Sequence, residues 1–105
     1  MAKREVIFVD DLADACIYFM NKKVKESVIN IGTGKDYSIR DYLKLMIKLI
    51  VPTKKIIIQY DKTKPNGTPR KVLDVSLAKK YGWRAKTTLK EAITKTYNSY
   101  LKEIK

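Results

Sequence analysis

The 105-residue chain contains no histidine and only one cysteine, Cys16. Without histidine there is neither a Cys/His zinc site nor an imidazole general base, and a single cysteine cannot form an internal disulfide. No apolar run approaches the length that a membrane-spanning helix requires, and no signal peptide is recognisable. These absences predict a cytoplasmic protein that makes no specific contact with a membrane.

Positive charge is in excess, with 23 Lys and Arg against 11 Asp and Glu and a formal net charge of +12. Lysine supplies 19 of these cations and arginine only 4, and they are scattered along the chain. Dedicated nucleic-acid-binding proteins usually concentrate cations on one face, often as arginine. The charge therefore raises non-specific affinity for polyanions without indicating a specific nucleic-acid partner.

Short apolar runs alternate with helical periodicities. The runs at 6–9, 28–31 and 55–60 are rich in β-forming residues and predict three buried strands. Apolar spacing predicts two strong helices and two weaker ones, over residues 10–22, 38–51, 74–81 and 88–104. Length allows one domain. The pattern predicts a small α/β lobe with too few strands for a complete doubly wound sheet.

Individual residues carry further predictions. Asp10 and Asp11 follow the first run and are interpreted as helix caps rather than metal ligands, because no third carboxylate lies close by. Cys16 has apolar neighbours and is expected to be a buried structural thiol. Gly82 is expected to end a helix, with Trp83 packing back against it to close the core rather than stacking on a ligand. The sequence Gly-Thr-Gly at 32–34 predicts a turn, since it lacks the third glycine of a dinucleotide fingerprint.

The stretch 64–75 reads KPNGTPRKVLDV and combines two prolines, a glycine and three cations. Pro65 and the following Asn-Gly pair predict a turn, and Pro69 directs the chain to leave it in extended conformation. Arg70 and Lys71 then stand on a constrained backbone. A planar guanidinium with a neighbouring ammonium suits an anion site. The alternative is a solvated basic loop.

Several segments together resemble a known family. Residues 4–15, 30–34 with 38–40, and 77–83 with 88–93 are similar to the C-terminal lobe of extended short-chain dehydrogenase/reductases, the NAD(P)-dependent epimerases, dehydratases and reductases of nucleotide sugars. The stretch 64–74 is more specific than these three segments, because it resembles the KPDGTPRKLLD run of one family among them, the GDP-L-fucose synthases. Phe8 departs from the His or Tyr usual in the family, and Asn66 replaces Asp.

The resemblance implies a substrate-binding C-terminal portion, residues 1–105, of an enzyme that converts GDP-4-keto-6-deoxy-D-mannose to GDP-L-fucose with NADPH. The NADP-binding Rossmann domain is then absent or supplied by another subunit, and the whole enzyme is a homodimer. Arg4 and Lys71 are expected to contact the diphosphate of the GDP-sugar, with Arg70 as a nearby candidate. No catalytic, cofactor-binding or metal-binding residue is expected in this chain, which is not expected to be active alone.

Three alternatives stay open. The chain can be the lobe of another nucleotide-sugar epimerase or dehydratase, since only the stretch 64–74 separates these. The net charge admits an independent nucleic-acid-binding module. A scaffold lobe that pairs with another subunit is the third possibility, and both this and the missing-domain hypothesis predict an exposed apolar patch.

Overall fold

A computed structural model describes residues 2–65 and 67–104. In chain order its elements are β1 (Lys3–Arg4), α1 (Val9–Met20), β2 (Tyr37–Ser38), α2 (Ile39–Ile50), β3 (Arg70–Lys71), α3 (Ser76–Lys80) and α4 (Leu89–Glu103). This architecture confirms the small α/β lobe, with a three-stranded mixed sheet and four helices.

The sheet has the order β2–β1–β3, with β1 antiparallel to β2 and parallel to β3. Residues that pair directly across strands point to the same face, and successive residues point to opposite faces. The register therefore defines two sets of side chains. The Arg4 face carries Arg4, Tyr37 and Lys71, and the Lys3 face carries Lys3, Ser38 and Arg70.

The predicted strand positions are wrong. The runs 6–9, 28–31 and 55–60 contain no paired strand, and Val9 is already helical. The middle run contributes Ile29 and Ile31 to packing against the core, while Ile57 in the third run is 77% exposed. Apolar β-forming residues favour extended backbone but do not provide a partner strand. The strands that do pair are short and polar, and tertiary contacts fix them.

The helices predicted over residues 38–51 and 88–104 begin as predicted. The Ser38 hydroxyl accepts a hydrogen bond from the Asp41 N–H at 3.1 Å, which caps α2. The Thr88 hydroxyl accepts one from the Glu91 N–H at 3.2 Å, which caps α4. Each cap satisfies one of the backbone donors that a helix leaves without an intrahelical partner. These boundaries are encoded locally, within four residues of sequence.

The start of α1 differs from the prediction. Its N-cap is Phe8, with no side-chain cap, so Asp10 and Asp11 do not cap the helix but lie in its first turn, where the dipole favours carboxylates. Asp11 is buried and accepts hydrogen bonds at 3.0 Å from both the backbone N–H and the hydroxyl of Thr87. A tertiary contact with the α3–α4 loop has replaced the cap. The helix ends at Met20, earlier than residue 22.

The core lies where α1, α3 and the α3–α4 loop meet, and Ala15, Ala78 and Trp83 are its buried centre. Gly82 has a φ of 92°, and the Trp83 N–H donates to the Ala78 carbonyl at 2.9 Å. This bond spans five residues back along the chain, which is the Schellman helix ending. The Trp83 indole N–H donates to Asp14 at 2.9 Å. Trp83 thus closes the core, as predicted.

The prediction for Cys16 is wrong, because this thiol is exposed. It lies on an apolar stripe that faces solvent, which we call the outer face of α1 and which comprises Val9, Leu12, Cys16, Ile17 and Met20. The four aliphatic members are 68%, 41%, 62% and 83% exposed, in chain order. The inner side of α1 carries the buried Ala15, with Tyr18 and Phe19 packed against the core, and the hydrogen-bonded Asp11 and Asp14. Apolar spacing identified the helix but not which side is buried.

The lobe is more open than its length requires. Its radius of gyration is 16.6 Å, whereas a compact domain of about 100 residues has one of about 13 Å. Its accessible surface is 8555 Å², whereas a folded monomer of this mass exposes about 6,100 Å². Among residues 2–65 and 67–104, no helix is long and apolar enough to cross a membrane.

Candidate anion-binding site

The loop before β3 is held against β1. Gly67 has a φ of 75°, which an L side chain rarely adopts, and a Cβ there would lie 3.3 Å from Arg4 Nη2. The Pro69 carbonyl accepts a hydrogen bond from the Lys3 N–H at 2.9 Å. Asn66, the other half of the predicted turn, lies outside the described residues. The constrained backbone predicted for this stretch is thus seen at Gly67 and Pro69.

Arg4 is partly buried and fixed in place. Its Nη1 donates to the carbonyls of Lys3 at 2.7 Å and Thr68 at 2.6 Å. Its own carbonyl accepts a hydrogen bond from the Tyr42 hydroxyl at 2.6 Å, and burial raises the pKa of that tyrosine. Within residues 2–65 and 67–104, Nε and Nη2 of Arg4 make no hydrogen bond. The guanidinium is therefore both oriented and able to receive an anion.

Arg70 lies on the Lys3 face and is already paired. Its Nε contacts Asp36 Oδ2 at 2.6 Å and its Nη2 contacts Asp36 Oδ1 at 3.1 Å, a bidentate ion pair. The Asp36 side chain is 6% exposed and that of Arg70 is 64% exposed. The hydrogen bond from Arg70 holds the pKa of Asp36 below its usual value, and the carboxylate in turn raises the pKa of Arg70.

Lys71 is exposed and pairs with Arg4 across β1 and β3. Across the described ranges, no carboxylate lies within 4.0 Å of its ammonium. Of the three cations predicted to bind substrate, the sheet thus brings Arg4 and Lys71 to one face. It places Arg70 on the other.

Glu5 organises the neighbouring turn, and nothing in the sequence pattern pointed to it. Its carboxylate accepts hydrogen bonds from the Gly34 N–H at 2.7 Å, the Leu73 N–H at 2.9 Å and the Thr33 hydroxyl at 3.3 Å. A Cβ on Gly32 would lie 2.3 Å from the same carboxylate. The Gly-Thr-Gly segment therefore wraps around a carboxylate of this chain. These residues do not fit a dinucleotide phosphate.

Two concave surfaces adjoin the sheet. The Arg4 cavity has a volume of about 460 Å³, and its lining residues are Ala2, Arg4, Ile39, Arg40, Leu43, Ile58, Gln59, Tyr60, Asp61 and Pro65. A larger groove of about 1250 Å³ runs between the segment 6–9, α2 and α4. The Arg4 cavity is the one that includes a predicted site residue.

Solved structures of nucleotide-sugar enzymes match nearly the whole chain, although no family model does. UDP-glucose 4-epimerase of Thermotoga maritima matches with a TM-score of 0.83 and 28% identity, over 99% of this chain and 33% of that one. A GDP-mannoheptose C4 reductase from Campylobacter jejuni, solved with NADP bound, matches with a TM-score of 0.73 and 36% identity. This match covers 95% of this chain and 32% of that one. The fold is thus that of part of a nucleotide-sugar epimerase or reductase.

Sequence similarity points to GDP-L-fucose synthases within this class of nucleotide-sugar enzymes. GDP-L-fucose synthase 1 of Arabidopsis thaliana is 38% identical over 101 residues, which are 96% of this chain and 31% of that protein. The chain is homologous to about 30% of the length of GDP-L-fucose synthases and related nucleotide-sugar epimerases and dehydratases, which confirms the resemblance noted in the sequence. It spans about a third of the length of these relatives.

Proposed function

We propose that the chain is the substrate-binding portion of a GDP-L-fucose synthase-like, NADPH-dependent epimerase/reductase. Its ligand is then GDP-4-keto-6-deoxy-D-mannose, the GDP-sugar that such an enzyme converts to GDP-L-fucose. The observation that carries this proposal is the strand register, which pairs Arg4 with Lys71 on one face of the sheet. The bonds from the Arg4 guanidinium to the Thr68 carbonyl and from the Lys3 N–H to the Pro69 carbonyl, which hold the loop before β3 against β1, support it.

The Arg4 face has the chemistry that a diphosphate needs. Two adjacent phosphates carry charge on several oxygens, so an oriented guanidinium with an ammonium beside it neutralises them well. Arg4 offers Nε and Nη2, and Lys71 offers three mobile N–H donors. Arg70 contributes a weaker, longer-range attraction, because Asp36 occupies its Nε and Nη2.

Catalysis and NADP binding are then the task of the remainder of such an enzyme, and the chain is inactive alone. The Gly-Thr-Gly turn supports this division, because its Gly34 N–H donates to the carboxylate of Glu5 rather than pointing to a free phosphate position. When bound, NADPH supplies the hydride for the reduction. We further place the complete enzyme in the cytoplasm, as a homodimer.

The exposed surfaces support a lobe that packs against a larger domain. The outer face of α1 is a continuous apolar stripe, and such stripes commonly mark interaction sites. The lobe exposes about 2,500 Å² more than a compact monomer of its mass. Both observations fit a Rossmann domain seated on α1, and they also fit the scaffold alternative, which predicts self-association.

A different nucleotide sugar is the second candidate, because the match to UDP-glucose 4-epimerase extends over 99% of this chain. Calorimetric titration of the 105-residue chain with GDP-mannose and with UDP-glucose separates the two. We expect GDP-mannose to bind more tightly, and Lys71→Gln to weaken its binding. Tighter binding of UDP-glucose would overturn the fucose-synthase assignment, and absence of any binding would count against a substrate-binding role.

A further inference from the structure

We propose that the Arg4 cavity is a guanine pocket, in which Arg40 binds O6 and N7 on one edge of the base, Asp61 binds the 2-amino group on the other edge, and Tyr60 covers its face. This inference rests on the proposed function. It deepens that function by assigning residues that select the nucleotide, beyond those that bind its diphosphate.

The position of the cavity follows from the sheet. β2 ends at Ser38 and α2 begins at Ile39, so the pairing of β2 with β1 brings the first turn of α2 beside Arg4. Arg4 and Arg40 consequently line the same cavity. A diphosphate held by Arg4 on the sheet therefore places the attached nucleoside within reach of the cavity.

The walls suit a flat, largely apolar group. The cavity volume of about 460 Å³ lies within the usual range for small-molecule sites, about 300–1,000 Å³. Its apolar lining is open to solvent, with Tyr60 51%, Ile39 48% and Leu43 38% exposed. An aromatic ring that faces an open cavity provides a stacking surface for a base.

The polar groups match guanine. Arginine binds guanine through two hydrogen bonds to O6 and N7, and Arg40 is exposed with no hydrogen-bond partner in the part of the chain that the structure describes. Guanine also carries a 2-amino donor, which a carboxylate can accept. Adenine has a donor where guanine has O6, and uracil lacks the N7 edge.

Asp61 is prepared as that acceptor. Its Oδ1 accepts hydrogen bonds from the Thr63 N–H at 3.0 Å and from the Thr63 hydroxyl. These bonds lower its pKa, so the carboxylate is ionised near neutral pH. Oδ2 makes no hydrogen bond to the described residues, which leaves it for the amino group.

The test is titration of the 105-residue chain with GDP, IDP, ADP and UDP. IDP differs from GDP only by lacking the 2-amino group. We expect the order GDP, IDP, then ADP and UDP, because one good bidentate contact discriminates by about 1–3 kcal/mol, or roughly 5- to 150-fold. Arg40→Gln should reduce GDP affinity to near that of UDP. Asp61→Asn should remove the difference between GDP and IDP.

Controls separate this inference from the proposed function. Lys44→Gln removes a cation from the same helix outside the cavity and should leave the order unchanged. Arg40→Lys keeps a cation that can still donate to O6 and N7, so it should lose less GDP affinity than Arg40→Gln. Equal binding of all four nucleotides, still weakened by Lys71→Gln, would overturn the guanine pocket and retain the diphosphate site. Absence of any nucleotide binding would overturn both.

Discussion

Arg70 and Lys71 are neighbours in the chain with opposite circumstances in the structure. Arg70 lies on the Lys3 face and forms a bidentate ion pair with Asp36, while Lys71 lies on the Arg4 face without a carboxylate partner among the described residues. In a strand, consecutive side chains point to opposite faces. Two adjacent cations therefore do not make a common site, and the partner of Lys71 is Arg4, which lies 67 residues away in sequence.

The two faces of the sheet also differ in whether their cations stabilise the fold or remain available to an anion. The Arg70–Asp36 pair connects β3 to the residue that precedes β2, so it ties the two outer strands together across β1. The Arg4 face leaves donors of Arg4 and Lys71 without protein acceptors. We expect substitutions on the Lys3 face to change stability, and substitutions on the Arg4 face to change anion affinity.

The largest effect is expected for Arg4→Gln. Hydrogen bonds to charged groups contribute about 1.5–3 kcal/mol each, so GDP affinity should fall roughly 10- to 150-fold. The variant also loses the bonds to Lys3 and Thr68, and its Tm should fall. Calorimetry with circular dichroism measures both quantities. Arg4→Lys is the matched control that keeps the charge, and full GDP affinity in Arg4→Gln would contradict the assignment.

Lys71→Gln should reduce GDP affinity by roughly 10-fold. Its Tm should stay unchanged, because the Lys71 ammonium is exposed and forms no ion pair with the described residues. Lys62→Gln makes the same change of charge in the preceding loop and should have little effect. Similar losses in both variants would mean that net charge, rather than position, determines binding.

Arg70→Gln is expected to lower stability while leaving GDP affinity nearly unchanged. GDP affinity should change less than about threefold, since screening weakens an attraction that involves no direct contact. Tm should fall by roughly 1–5 °C, because a charged and largely buried Asp36 loses its partner. Asp36→Asn should also lower Tm but leave GDP affinity intact. A GDP loss in Arg70→Gln as large as in Lys71→Gln would contradict the division between the faces.

The smallest effect is in the pH dependence of stability. The folded-state pKa of Asp36 is lowered by Arg70, so the ion pair stabilises the fold above the unfolded-state pKa near 4 and is lost as pH falls through the folded-state value. The Tm difference between the wild type and Asp36→Asn should therefore be present at pH 7 and shrink below about pH 4. A difference as large at pH 3 as at pH 7 would show that shape rather than charge is lost.

What the sequence predicted depends on how local each signal is. The helix starts at Ser38 and Thr88 and the stop at Gly82 are each set within one helical turn, and all three lie where the helices were predicted to begin or end. The two-residue strands have no apolar signature, because Lys3, Arg4, Arg70 and Lys71 are polar. Their pairing depends on contacts distant in sequence, so it could not be read from the runs that were predicted as strands.

The sequence pointed to the candidate site residues but not to their arrangement. The constrained loop pointed to Arg70 and Lys71, and family resemblance pointed to Arg4. The Asp36 partner lies 34 residues from Arg70 with no local signal, and Glu5 is recognisable only once Gly34 and Leu73 converge on it. Cys16 was placed wrongly because apolar spacing marks one side of α1 without saying which side the lobe covers.

The most direct test of the central claim is a double-mutant cycle for GDP binding by calorimetry, with Arg4→Gln, Lys71→Gln and the combined variant. Residues that hold the same diphosphate should be coupled by about 0.5–3 kcal/mol, so the combined loss should differ from the sum of the single losses. The matched cycle of Arg70→Gln with Lys71→Gln should be additive. Coupling between Arg70 and Lys71, with none between Arg4 and Lys71, would contradict the shared site on the Arg4 face.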